Sequence, residues 1–225
     1  MNKLIAYICL GIYGLVSLIH LKDSFNDEQD KRKKTKPFLL MFLILYYLFM
    51  SEEVSLLVFF TLVCCWIGDV VLTQKGNMYF VIGGISFLIG HILLVFLYSK
   101  RINLALINWP LTLFIMAFYL FAIIQVMKIV KDNISLKMFI PMTIYLICNF
   151  FMNAFAIMQL QCNKSFGEVI LVIGAIMFFV SDSALFIVRY AKKKDIIYHN
   201  HFFVMLTYLV AMFLICNGVL LLGLS

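Results

Sequence analysis

Charged side chains are scarce in this sequence. They make up 13% of its 225 residues, whereas hydrophobic residues make up 64%, and the mean hydropathy is +1.04. Soluble domains are about 45–50% apolar, so this chain has too few polar residues to cover a surface in contact with water. The composition excludes a soluble globular fold and indicates that the membrane is the solvent.

Metal-ligand motifs and long polar linkers are missing as well. The six cysteines are scattered and show no spacing typical of metal ligands, so we expect no metal site and no cofactor. No linker longer than about fifteen residues separates the apolar runs, and residues 1–225 are interpreted as a single transmembrane domain. The net charge of +7 does not indicate a nucleic-acid partner, because the basic residues lie between the apolar runs.

Apolar runs recur along the whole chain, and each approaches the roughly 20 helical residues needed to cross a hydrocarbon core. We therefore predict an all-α polytopic membrane protein, a bundle of about eight transmembrane helices embedded in the lipid bilayer. The segment 22–36 is predicted to be a charged cytoplasmic loop. The predicted spans are 4–21, 36–51, 54–73, 79–99, 104–127, 138–160, 166–188 and 201–222.

The charges between the spans predict the orientation. Fourteen lysines and arginines fall on one side of the membrane, Lys193 and Lys194 among them, and four fall on the other. The positive-inside rule predicts that the first side is cytoplasmic and that both termini lie outside, in a bacterial inner membrane. Glu168, at the outer end of a span, is expected to be solvated.

Two aspartates lie inside predicted spans, Asp69 in the third and Asp182 in the seventh. An ionisable group inside the hydrocarbon costs about 2.5–3.5 kcal/mol on insertion scales, so each needs a partner or a function. Both are predicted at similar depths, within roughly 6–9 Å of the cytoplasmic ends of their helices. The structural alternative is an inter-helix hydrogen bond or a charge paired with a lysine.

The two aspartates share the pattern small-Asp-x-x-Leu, each on the third helix of a group of four. Pro37 and Pro141, near the starts of the second and sixth spans, fit the same scheme. This pattern suggests a parallel 4+4 repeat, which would place equivalent residues at equal depth.

Other polar residues within the spans have structural and functional interpretations. His91 either donates to a neighbouring carbonyl or takes part in catalysis, and Lys36 either anchors a helix end or holds a phosphate. Tyr145, Asn149 and Asn153 recur at four-residue spacing and so share one helix face, which either lines a cavity or joins two helices.

Two carboxyl groups in one apolar pocket cannot both ionise easily, so such a pair can present one acid and one base. An acid–base pair of this kind suits hydrolysis through an oxocarbenium-like state, as in glycosidases. A pocket at the cytoplasmic leaflet would admit an amphiphile, with its headgroup near the loop lysines. These residues alone do not identify the bond that is broken.

The sequence resembles the YhhN family of eight-helix membrane proteins, which includes the lysoplasmalogenases. The resemblance runs nearly end to end and depends most on the Gly-Asp and Ser-Asp pairs in their context. The segments that carry it are Lys36-Pro37 with the run to Tyr46-Tyr47, Trp66 to Leu72, Gly84 to His91, Ser181-Asp182-Ser183, and Leu206-Thr207-Tyr208.

The resemblance implies hydrolysis of the vinyl ether bond of a lysoplasmalogen, without a metal, to a fatty aldehyde and glycerophosphoethanolamine or glycerophosphocholine. Asp69 and Asp182 would be the acid–base pair. The supporting candidates are Lys36, His91, Tyr145, Asn149, Ser181 and Tyr208. Two alternatives remain, a small proton-coupled transporter and a non-catalytic member of the same family.

Overall fold

The computed structural model describes residues 2–192 and 196–223, and this part of the chain is helical without strands. Lys193 and Lys194, which contribute to the predicted topology, lie outside the described residues. The prediction of an all-α fold is confirmed. The helices are α1 (Asn2–Phe25), α2 (Gln29–Met50), α3 (Leu56–Val71), α4 (Asn77–Ser99), α5 (Trp109–Val130), α6 (Leu136–Asn163), α7 (Phe166–Tyr190) and α8 (Asn200–Leu222).

Six of these helices, α1 and α4 to α8, are long and apolar enough to cross a membrane. The apolar helix α3 is shorter, at 16 residues. The helix α2 has 22 residues, and its first turns carry the charged residues that precede Pro37. The count of eight spans therefore depends on these two helices and stays a prediction.

The predicted loop at 22–36 is wrong, because α1 continues to Phe25 and α2 already begins at Gln29. Lysine, arginine and glutamate favour helices almost as strongly as leucine does, so charge alone does not end a helix. The turn itself is made at Asp27, which has a left-handed backbone conformation with φ 54°. The Asp27 carboxylate accepts a hydrogen bond from Arg32 Nη2 at 2.9 Å, which ties the turn to α2.

The fifth helix begins at Trp109 rather than near 104, where the sequence predicted it. The Asn108 side chain accepts a hydrogen bond from the Leu111 backbone N–H and caps the helix, and Pro110 occupies its first turn. Both residue types favour a helix start at this position.

Seven of the helices form a closed ring. Consecutive helices pack from α1 to α4, α4 packs directly on α6, α6 on α7, α7 on α8, and α8 returns to α1. The helix α5 packs on α6 and α7 from outside the ring and exposes large apolar residues such as Phe114 and Phe118. The direct contact of α4 with α6 positions the candidate site.

Glu168 is fully buried, contrary to the expectation that it is solvated. Its carboxylate lies 3.2 Å from Arg101 Nη2 and also caps the start of α7 through Ser165. A carboxylate without water is stable only when paired and hydrogen-bonded. The Arg101 guanidinium, at the end of α4, meets this requirement and links α4 to α7.

Candidate functional site

The carboxyl group of Asp69 is 2% exposed and is held from two neighbouring helices. The Lys36 ammonium of α2 lies 3.3 Å from Oδ1, and Tyr208 Oη of α8 donates a hydrogen bond of 2.7 Å to Oδ2. An ammonium at this distance stabilises the ionised carboxylate. Asp69 therefore makes both contacts that a purely structural role predicts, an ion pair with a lysine and an inter-helix hydrogen bond.

The backbone around Asp69 allows this arrangement because Gly68 has no side chain. A Cβ on Gly68 would lie 2.6 Å from the Phe87 ring, so any side chain at this position would displace that ring. On the α2 side, Trp66 Nε1 donates a hydrogen bond of 2.7 Å to the Pro37 carbonyl. This bond fixes α3 against the part of α2 that carries Lys36.

The carboxyl group of Asp182 is held by neutral donors. Tyr145 Oη and Asn149 Nδ2, both from α6, donate hydrogen bonds of 2.8 and 2.7 Å to Oδ2. His91 Nε2 of α4 lies 3.5 Å from the same oxygen. These three contacts all fall on Oδ2, and none of the residues that the structure describes makes a hydrogen bond to the second oxygen, Oδ1.

A chain of hydrogen bonds connects Asp182 to the outer helix α5. Tyr119 Oη donates to Asn153 Oδ1 at 2.9 Å, and Asn153 Nδ2 donates to Asn149 Oδ1 at 2.9 Å. Asn149 then donates to Asp182. The polar face predicted on α6 thus both joins helices and orients the carboxyl group.

His91 is fully buried, and its ring contacts the aromatic rings of Tyr145 and Phe178. Its ring interacts with the Phe87 backbone one turn earlier on α4, and Nε2 lies 3.5 Å from Asp182 Oδ2. The structure therefore agrees with the backbone contact expected of a structural histidine, and it also places the imidazole beside the carboxyl group of Asp182.

Two phenylalanines lie between the surroundings of the two aspartates. The Phe178 ring is 4.6 Å from the His91 ring and 5.7 Å from the Tyr208 ring. The Phe87 ring packs on Tyr208 at 5.8 Å. The Cys65 thiol lies within electrostatic range of both carboxyl groups. The two groups therefore occupy neighbouring environments with different partners.

The aspartates are not equally far from their helix ends, so that part of the depth prediction is wrong. The helix α3 ends at Val71, about 3 Å beyond Asp69 at 1.5 Å per residue. The helix α7 continues to Tyr190, about 12 Å beyond Asp182 on the same rise.

The partner helices agree with the suggested 4+4 repeat. Asp69 on α3 is held from α2 and α8, while Asp182 on α7 is held from α6 and α4. In such a repeat α1–α4 correspond to α5–α8, so α2 corresponds to α6 and α8 corresponds to α4. The individual partner residues differ, and the repeat stays a prediction.

Of the residues predicted from sequence, Lys36 and Tyr208 lie at Asp69, and His91, Tyr145 and Asn149 lie at Asp182. Ser181 does not join either group, since its hydroxyl donates to the Val204 carbonyl at 3.0 Å and links α7 to α8. Sequence reasoning missed Phe87 and Phe178, whose only signal is an aromatic ring in a chain that is rich in them. Among residues 2–192 and 196–223, no group of three histidine, cysteine or acidic side chains is placed to hold a metal ion.

A comparison with known protein families adds independent information. The sequence model of the YhhN family matches residues 32–219, a range that contains all eight site residues predicted from sequence. No curated protein and no solved structure matches the chain.

Proposed function

The chain belongs to the YhhN family, and from this membership we propose that it is a membrane-embedded hydrolase of the lysoplasmalogenase type. Its substrate would be a lysoplasmalogen, a single-chain phospholipid whose chain is attached through a vinyl ether. The observation that best supports hydrolysis is the contrast between two buried carboxyl groups, one paired with a cation and one held by neutral donors.

The reaction requires one acid and one water molecule. The acid protonates the β-carbon of the vinyl ether, which leaves an oxocarbenium ion at the carbon bound to oxygen. Water adds to that carbon and releases a proton, giving a hemiacetal. Cleavage of the hemiacetal C–O bond then yields the fatty aldehyde and the free glycerol hydroxyl.

Asp182 is the acid in this proposal. Tyr145 and Asn149 fix its Oδ2, so a proton on Oδ1 is free to be donated to a bound substrate. The carboxyl group lies in the wall of an apolar cavity, where the carbon that must be protonated can approach it. Geometry of this kind, with a fixed donor beside the reacting atom, is what general acid catalysis needs.

Asp69 is the carboxylate of the pair. Its ion pair with Lys36 and hydrogen bond from Tyr208 favour the charged form. A fixed negative charge near an apolar site stabilises a developing oxocarbenium ion, and the Asp182 carboxylate left after the first step accepts the proton that water releases, which restores the acid. Phe87 packs between Gly68 and Tyr208 and also lines the cavity that contains Asp182, so its ring lies between the two groups.

The test is release of aldehyde from a lysoplasmalogen by the protein purified in detergent. Asp182→Asn and Asp69→Asn should each lower kcat by at least about 10²-fold, in line with the loss of a general acid or base. Asp132→Asn, at an exposed position outside the site, is the matched control and should keep wild-type activity. Full activity in either site variant would overturn the proposed mechanism.

We place the active site toward the cytoplasm, because the clustered basic residues lie at the same helix ends as Lys36. Measurement of solute flux in sealed vesicles tests the alternative that this protein is a proton-coupled carrier and not an enzyme. Flux that stops in Asp69→Asn, in a protein that releases no aldehyde, would favour the carrier.

A further inference from the structure

A cavity of about 220 Å³ lies between α4 and α6, next to the end of α3 and to α7. Leu88, Met142, Leu185 and Phe186 contribute to its apolar wall. Among the described residues that line it, Asp182 and Tyr145 carry the polar side chains. The cavity is therefore a hydrophobic space with one of the two buried carboxyl groups in its wall.

The mouth of the cavity faces sideways, along the flanks of the helices. Ile85 on α4 and Ile144 on α6 line it and are 51% and 54% exposed. Both lie well inside their helices, where a membrane-spanning helix is surrounded by lipid chains rather than by water. A molecule that enters through this mouth comes from the bilayer.

Gly84 keeps the mouth open. It lines the cavity, and a Cβ built on it would meet no atom within 4 Å. Gly83 and Gly90 on the same helix differ, since a Cβ on them would lie 2.9 Å from Leu72 and 3.1 Å from Cys65. These two let α4 pack closely on α3, whereas Gly84 leaves space that no protein atom fills.

We propose that this cavity, given the hydrolase function proposed above, binds the hydrocarbon chain of a single-chain ether phospholipid that enters laterally from the bilayer between α4 and α6. Pockets that enclose drug-sized ligands hold roughly 300–1,000 Å³, and this one is smaller, at about 220 Å³. It accommodates a segment of one chain and leaves no room for a second. A lipid that brings a second chain to the cavity therefore fits less well than one with a single chain.

The position of Asp182 fits this occupant. A vinyl ether accepts its proton on carbon, at the atom where the hydrocarbon chain begins. An acid for this reaction must face apolar carbon rather than the headgroup, and Asp182 lies in an apolar wall to which Phe87 also contributes. The rest of the lipid would extend through the mouth into the leaflet.

The experiment is photolabelling with a lysophosphatidylethanolamine whose saturated ether chain carries a diazirine near the glycerol. The saturated ether is not cleaved, so binding is measured apart from turnover. In wild-type protein the label should map to the peptides of α4, α6 and α7 that line the cavity. Excess unlabelled lysolipid should reduce the labelling, and a two-chain phosphatidylethanolamine should compete at least tenfold less well.

Gly84→Leu should fill the mouth and reduce the labelling of α4 and α6 at least tenfold. The matched control is Gly14→Leu on α1, where an added Cβ also meets no atom within 4 Å. The milder Gly84→Ala should label nearly as wild type and shows that the position tolerates a side chain. Labelling spread evenly over the lipid-facing helices, or unchanged in a folded Gly84→Leu protein, would overturn the proposal. Labelling of the cavity in a protein that releases no aldehyde would support the chain site and reject the hydrolase.

Discussion

Tyr145 and Tyr208 each donate one hydrogen bond to a buried carboxyl group, and the two bonds are nearly equal in length, at 2.8 and 2.7 Å. Their partners differ, since Asp182 keeps a neutral amide when the tyrosine is removed and Asp69 keeps an ammonium. The same substitution at the two positions therefore removes equivalent contacts from two different environments.

Tyr145→Phe and Tyr208→Phe should each lower kcat for aldehyde release about tenfold. A hydrogen bond to a neutral group, as from Tyr145 to the protonated Asp182, contributes about 0.5–1.5 kcal/mol, and one to a charged group, as from Tyr208, contributes about 1.5–3 kcal/mol. About 1.4 kcal/mol corresponds to a factor of ten in rate. Tyr46→Phe is the control, because it removes a partly buried hydrogen bond to Asn217, near the C-terminal ends of α2 and α8. A fall in kcat that is equal in all three variants would indicate a general loss of structure.

At the residue scale, the sequence predicted the ionisable side chains, whose insertion into a membrane costs much free energy. It missed the apolar side chains, whose insertion costs little. Asp69 and Asp182 stand out because charge is expensive in hydrocarbon. Asn149 and Tyr145 were identified by their common helix face, and Tyr208 only by the family resemblance. Phe87 and Phe178 carry no such signal, since apolar aromatic residues are equally favourable at many positions in this chain.

At the scale of the helices, the buried ion pair of Arg101 with Glu168 links the end of α4 to the start of α7. Breaking a buried pair by removal of one partner costs roughly 3–5 kcal/mol, because the other charge is left without compensation. Arg101→Met should therefore lower the free energy of unfolding by about 3 kcal/mol, the lower end of that range, since the arginine is partly exposed. A denaturant titration in mixed micelles measures the change.

Lys3→Met provides the comparison for that variant. Lys3 and Glu52 form a more distant ion pair, 3.9 Å, between side chains that are 68% and 90% exposed. Exposed pairs contribute about 0–1 kcal/mol, so this substitution should have little effect. Equal destabilisation by the two substitutions would contradict the role assigned to the buried pair.

The existence of the helices was predictable, and their ends were not. Long apolar runs leave few alternatives to a helix in lipid, because every backbone polar group must be satisfied internally. The ends depend on single residues, such as Asn108, which caps α5, and Asp27, whose left-handed conformation makes the α1–α2 turn. Neither position differs enough in hydropathy from its neighbours to locate a boundary.

At the scale of the whole molecule, the predicted topology places the two ends of α6 on opposite sides of the membrane. Lys131 precedes this helix and Lys164 ends it, and both are exposed. With 28 residues the helix is about 42 Å long at 1.5 Å per residue. That length exceeds the roughly 30 Å hydrocarbon core, so both ends reach water.

In right-side-out vesicles, a membrane-impermeant maleimide should label Lys164→Cys and leave Lys131→Cys unlabelled until the membrane is permeabilised. A Cys162→Ser background removes the native thiol near the same end of α6. The parent protein with that change serves as the control. Labelling of Lys131→Cys from outside would reverse the orientation and move the site to the outer leaflet.

The sideways mouth between α4 and α6 has a consequence for how the protein meets its substrate. A lipid that enters through exposed Ile85 and Ile144 passes from one hydrophobic medium to another, so it gains little from leaving water. Occupancy then follows the mole fraction of that lipid in the leaflet, a two-dimensional quantity, rather than its amount per volume of cytoplasm. The protein would thus respond to the composition of its own membrane. Neighbouring lipids would lower the occupancy of the cavity by lowering the mole fraction of the lipid that binds there.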